Sequence, residues 1–139
     1  MKIYLAIPYT ALPEVSFEVA NIISARLMNT HGHIVFSPIS HTHPIALAGS
    51  LPTGWDYWKK FDETFIEWAE ALYVVHINSH KGIDYEASEL VRASHGVTGE
   101  IGIANNLGKP VHIVHYTDQA GQKLIDVKPV ITFEKEYWL

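Results

Sequence analysis

The sequence contains no cysteine. That excludes a disulfide framework, a thiolate zinc site, an iron–sulfur cluster and a cysteine nucleophile together. The lack suits a reducing compartment, and the expected location is cytoplasmic. Long hydrophobic runs are also missing. The N-terminal MKIYLAIPYT has an apolar run of only five residues before Pro8, so neither a signal peptide nor a membrane span is expected there. Basic residues are scarce: ten Lys and Arg against fifteen Asp and Glu, with a net charge of −5. A duplex nucleic-acid binder needs a basic stripe, so neither nucleic acid nor membrane is an expected partner. Seven prolines and nine glycines are ordinary numbers and exclude collagen-like and low-complexity chains. At 47% hydrophobic and 18% charged residues the chain is not disordered. Its 139 residues suit one domain, 1–139, and no linker interrupts them.

What the chain has in excess is histidine and aromatic residues: nine His, four Trp, seven Tyr and five Phe. Aromatics in that number fill a core or line a pocket for a flat ligand. Lys2–Ile7 predicts a buried strand ended by Pro8. A helix over 13–30 follows, with Pro13 at its first turn and Val15, Val19, Ile22, Ile23 and Leu27 on one face. Gly32 stops it, and His33–Phe36 predicts a second strand. Residues 37–54 carry turn chemistry at both ends and are expected to be a long functional connection. Trp55–Glu70 predicts a helix, Ala71–Ile77 a third strand, and Tyr85–Ala93 a possible short helix. Glu100–Leu107 predicts a helix stopped by Gly108 and Pro110. Val111–Tyr116 and Val127–Phe133 predict the last two strands. Strands alternating with helices predict an α/β fold, one parallel sheet covered on both faces.

Four constellations could carry chemistry. In SHGVTGE, Gly96 and Gly99 bracket an expected helix start, whose free N–H groups suit an anion. Glu100 would then lie in the first turn, as a reactive carboxylate or as a residue that only balances the dipole. Asp62 sits among Trp55, Trp58 and Phe61. It could be a proton donor with a raised pKa, or a solvated acid beside Lys59 and Lys60. Tyr4 and the strand end Ile7-Pro8-Tyr9-Thr10 stand where α/β sheets bind ligands; Tyr4 could equally be a core residue. His31, His33, His41 and His43 could place imidazoles together, since HTH in an extended segment puts two on one side. Without a cysteine or close acidic partner, no metal is expected, and contact with an anionic ligand is the better use of these histidines. HKGIDYE (80–86) echoes SHGVTGE, so Glu86 is a rival for the role of Glu100.

KIYLAIPY, FDETFIEWAEALYVV and S-x-G-V-x-x-E-I-G-x-A…GKPV together resemble the nucleoside 2-deoxyribosyltransferase superfamily over about residues 2–115. That superfamily includes nucleoside deoxyribosyltransferases and nucleoside 5′-monophosphate N-glycosidases. VFSPISHTHPI and LPTGWDYW resemble a phage and bacterial branch of it. The resemblance implies a flavodoxin-like three-layer sandwich with a five-stranded, mostly parallel sheet. It also implies a retaining mechanism that uses no cofactor. By motif match Glu100 would be the nucleophile, Asp62 would handle the leaving base and Tyr4 would orient Glu100. Gly96 would let backbone approach the ligand, with Pro8, Tyr9, His43 and Trp55 also binding substrate. Ser94 stands where the transferases usually carry an aspartate, which favours a 5′-monophosphate hydrolase over base exchange or a non-catalytic nucleotide-binding module. Residues 78–93 look like an insertion. The family pattern and the tail EKEYWL, with exposed-looking aromatics, imply a homodimer or higher homo-oligomer.

Overall fold

A computed structural model of the chain describes residues 1–52 and 54–130. The tail EKEYWL, the end of the expected fifth strand (131–133) and Thr53 lie outside the described residues. The elements run β1 (Lys2–Ala6), α1 (Pro13–His31), β2 (Ile34–Phe36), α2 (Pro38–Gly49), α3 (Trp55–Trp68), β3 (Ala71–Ile77), β4 (Ser79–His80), β5 (Ile83–Asp84), α4 (Ala87–Ala93), α5 (His95–Asn106), β6 (Val111–Gln119) and β7 (Gln122–Val130).

The main sheet has five strands in the order β2-β1-β3-β6-β7. Counting only its own strands, that is the order of flavodoxin-like folds. β1 pairs in parallel with β2 and β3, and β3 with β6. Every residue of β3 is buried, as a central parallel strand requires. Its two-residue period sends successive side chains to opposite layers. Val75, with Leu5 and Val114, meets Val19, Ile23 and Leu27 of α1. Val74, with Tyr4 and Ile113, meets Ile66 of α3 and Val97, Ile101 and Ala104 of α5. Helices therefore cover both faces, and the architecture is a flavodoxin-like three-layer α/β sandwich. Among the described residues, no helix is long and apolar enough to cross a membrane.

α1 obeys its sequence signals. Pro13 opens it, and Gly32 closes it in the left-handed conformation at φ 65°. The Gly32 N–H reaches the Met28 carbonyl and the His33 N–H the Leu27 carbonyl, a Schellman ending.

Three sequence expectations are corrected. Residues 38–49 are a helix rather than an open connection. The Ser37 hydroxyl caps it by accepting from the Ser40 N–H at 3.4 Å, and Pro38 takes the first turn. Pro44 forfeits the bond to the Ser40 carbonyl, yet burial of Thr42, His43 and Ala46 holds the helix together. α5 begins at His95, not Glu100, because Ser94 caps it by accepting from the Val97 N–H at 3.1 Å. The sheet is not wholly parallel: β7 runs antiparallel to β6. Only Ala120 and Gly121 separate them, both at positive φ, and a parallel crossover needs a dozen residues or more. Within the stretch that reads as an insertion, residues 79–84 form a small hairpin whose turn residues Lys81 and Gly82 have φ 51° and 80°.

Candidate active site

The strand order reverses between β1 and β3, and a cavity of about 470 Å³ opens there, beyond the carboxyl end of β1. That is the topological switch point of an open α/β sheet, and the size suits a small molecule. One wall is the loop after β1, Ile7 to Ala11. A second is Pro38, Ile39 and Thr42 of α2. Trp55, Trp58 and Asp62 of α3 form a third. Leu90 and Ala93 of α4, with Ser94, His95, Gly96 and Glu100 of α5, complete it. Of the residues singled out from sequence, Pro8, Tyr9, Trp55, Asp62, Ser94, Gly96 and Glu100 line this one space.

Glu100 lies in the second turn of α5 and is only 5% exposed. It therefore does not merely balance the helix dipole from the first turn. Tyr4, fully buried on β1, donates its hydroxyl to Glu100 Oε2. Asp62 is 7% exposed, on the buried side of α3 with Ile66, while Lys59 and Lys60 face outward. Asp62 Oδ1 has no hydrogen-bond partner. Burial pushes the Asp62 carboxyl from 3.8 up to about 7, against the opposing effect of Tyr4. Burial first, then the charge of Asp62, raises Glu100 well above the carboxylate range, and the Tyr4 hydrogen bond opposes this. Burial and both carboxylates raise Tyr4, which stays a phenol. Two carboxyls so buried cannot both be ionised cheaply, so they titrate as a coupled pair. Tyr4 donates to Glu100, which favours the charge there and the proton on Asp62. Glu86, the rival glutamate, is exposed and lines no part of the cavity.

Ser94 caps α5 with its oxygen, which leaves its O–H free to donate. Gly96 lies one residue into the helix from His95. A Cβ built there meets nothing closer than the Ser94 hydroxyl at 3.9 Å, so the glycine leaves open space at the cavity wall. Among the described residues, no Lys or Arg lines the cavity.

Sequence reasoning missed one contact. A Cβ on Gly99 would lie 2.5 Å from Cε2 and Cζ2 of Trp55. The indole rests on the bare backbone of α5, next to Glu100. Gly99→Ala is expected to cost about 1–3 kcal/mol of stability, the usual cost of overpacking, and to push the indole outward. Melting temperature and tryptophan emission check this, with the Gly99→Ala, Trp55→Phe double variant regaining most of the loss. Unchanged melting and emission in Gly99→Ala would remove the contact from the account.

His43 does not line the cavity. It is 3% exposed, stands behind Tyr9 and touches Phe17 at a ring separation of 4.6 Å. The expected extended HTH segment is helical, so residues 41 and 43 diverge around the axis. His41 lies against Phe36 and Phe61 instead. His31 and His33 stack on each other at 5.7 Å, at the end of α1. The four histidines thus form no shared group. The walls given by α2 and α4 also escaped the sequence reading, although Ser37-Pro38 is a cap-and-first-turn signal that marks α2.

No protein with a curated description matches the chain. Among solved structures, the chain is similar to a 2-deoxyribosyltransferase from the psychrotolerant bacterium Bacillus psychrosaccharolyticus. The identity is 24% and the TM-score 0.53, over 83% of this chain and 72% of that one. At that identity the likeness shows a shared fold. The family profile described as "Domain of unknown function (DUF1937)" matches residues 1–116, which contain the whole of the cavity lining. The chain is a member of the DUF1937 family.

Proposed function

We propose that the protein cleaves the N-glycosidic bond of a (deoxy)nucleoside 5′-monophosphate and releases free base. The observation that carries the reading is the buried Tyr4–Glu100–Asp62 group at the switch-point cavity, two carboxyls that burial raises together. Such a pair is the usual equipment for glycosidic cleavage. Glu100, ionised and held by Tyr4, attacks the anomeric carbon as the bond to the base breaks, forming a glycosyl ester. Asp62 gives its proton to the departing base and takes one back from the water that later opens the ester. Trp55 and Trp58 supply flat apolar faces beside Asp62, fit for an aromatic base. The similarity to a deoxyribosyltransferase supports the same class of chemistry. No step calls for a metal or cofactor. A cytoplasmic homo-oligomer is part of this proposal.

The phosphate would sit at the start of α5, against the Ser94 hydroxyl and the first N–H groups of the helix. A charge-assisted hydrogen bond contributes about 1.5–3 kcal/mol, so Ser94→Ala is expected to lower kcat/KM for a nucleotide about tenfold or more and to spare the nucleoside. Ser94→Asp should go further and tilt preference toward nucleosides, since a carboxylate repels phosphate and accepts a 5′-hydroxyl. The nucleotide-to-nucleoside ratio of kcat/KM in the three proteins is the measurement. A wild-type preference for nucleosides would contradict the monophosphate reading.

Base exchange through the same ester is the second reading. The lack of Lys and Arg among the described cavity residues favours it, because no fixed cation offsets a phosphate there.

A further inference from the structure

His43 is buried, hydrogen-bonded to Tyr9 through one ring nitrogen, and one layer removed from the cavity. The Tyr9 hydroxyl lies 2.6 Å from His43 Nδ1, within the protein interior. His43 Nε2 lies 3.2 Å from Oε1 of Glu14, in the first turn of α1. Burial and the nearby Glu14 charge hold the Tyr9 phenol above its ordinary range, so it stays a donor. The wiring then has one consistent direction. The Tyr9 O–H donates to Nδ1, which leaves the ring proton on Nε2, on the side of the Glu14 carboxylate. Phe17 of α1 covers the ring at 4.6 Å.

The chain of contacts joins two walls that are remote in sequence. Tyr9 belongs to the β1–α1 loop, which lines the cavity from Ile7 to Ala11. His43 belongs to α2, whose Pro38, Ile39 and Thr42 line the facing side. A second hydrogen bond, from Ser16 Oγ to the Pro8 carbonyl, ties the same loop to α1. His43 is thus the joint between the loop and α2.

We propose that His43 is a positioning residue that acts through Tyr9: the Glu14–His43–Tyr9 chain sets the width of the cavity by clamping the β1–α1 loop to α2. The kinetic consequence rests on the proposed glycosidic reaction, but the clamp itself does not. Ligand binding should depend on the clamp, and the chemical step at Glu100 and Asp62 should not.

The test is a double-mutant cycle of Tyr9→Phe and His43→Ala, with hydrogen exchange measured on each protein. In His43→Ala, exchange of residues 7–11 and 38–46 should rise about tenfold, the loss of roughly one buried hydrogen bond, while α5 and β3 keep wild-type protection. For a nucleoside 5′-monophosphate probe, KM should rise about tenfold with kcat within about twofold. The two losses should not add, because either substitution already opens the chain. His43→Asn, which keeps an acceptor on the Tyr9 side, should recover most of the KM and keeps the test sound if the alanine variant folds poorly. Additive losses, exchange that rises everywhere, or a fall in kcat alone would overturn the clamp. If wild-type protein releases no base from any probe, the glycosidase reading fails, and the exchange pattern still decides the clamp.

Discussion

Replacing Glu100 with Gln is expected to lower base release roughly 10⁴-fold or more while the protein stays folded. The size follows from the role. An amide cannot form the glycosyl ester, so the two-step route closes and only direct attack by water is left. The fold should tolerate the change well. Gln fills the same volume, and its carbonyl oxygen can still accept from Tyr4. Glu100 is 5% exposed, and burial raises its carboxyl well above the ordinary range. A buried carboxylate therefore costs stability at neutral pH, and the amide removes that cost. Glu100→Gln should melt no lower than wild type, and higher above neutral pH. Near-wild-type base release would remove Glu100 from the nucleophile's role and return attention to Glu86.

Asp62→Asn should also trade activity for stability, with a distinct pH signature. Burial raises the Asp62 carboxyl from 3.8 to about 7 in the folded protein. Between those values the native state binds a proton that the unfolded chain has released. Stability from this group is therefore full below about pH 4 and is lost as pH rises through about 7. At 1.36 kcal/mol per unit the ceiling on that loss is roughly 4 kcal/mol, and Asn avoids it. Asp62→Asn should thus be more stable than wild type at pH 8 and nearly equal to it at pH 4. Turnover runs the opposite way. Wild-type kcat should fall as pH rises through about 7, when the proton for the leaving base is lost. Asn cannot supply that proton, so kcat should drop about 10²–10⁴-fold, most for bases that leave poorly, and the alkaline limb should vanish. A small, uniform loss across bases would mark Asp62 as a residue outside the chemistry.

The sheet is legible in the sequence for a physical reason. β1 and β3 are short buried runs bounded by breakers, and burial on both faces leaves a continuous apolar signal. Spacing alone leaves Glu100 open as a residue that only balances the dipole; its preference over Glu86 rests on the resemblance, in which the helix and GKP follow at the superfamily's distance. What escaped was decided by competing local signals or by contacts remote in sequence. Turn chemistry at both ends makes residues 37–54 read as a connection, and the burial of Thr42, His43 and Ala46 that holds the helix comes from other elements. The glycines at 96 and 99 delayed the expected start of α5 by a turn and more, although Ser94 had already capped it. Alternating strands and helices predict a parallel sheet, and the two-residue turn Ala120-Gly121 makes β7 its one antiparallel strand. His43 was read for its chemistry alone; its partners Glu14 and Tyr9 come from other elements. Nothing local links Trp55 to Gly99, which are 44 positions apart. The misses at the cavity walls and element ends lie where tertiary packing chooses among locally similar alternatives.

The most direct test is chromatographic detection of free base after incubating the protein with a panel of nucleoside 5′-monophosphates and the matching nucleosides. Wild type should release base from at least one nucleotide faster than from its nucleoside, Glu86→Gln should match wild type, and Glu100→Gln should release none above background. Absence of free base from every substrate, with or without an added acceptor base, would contradict glycosidic cleavage by the Tyr4–Glu100–Asp62 group.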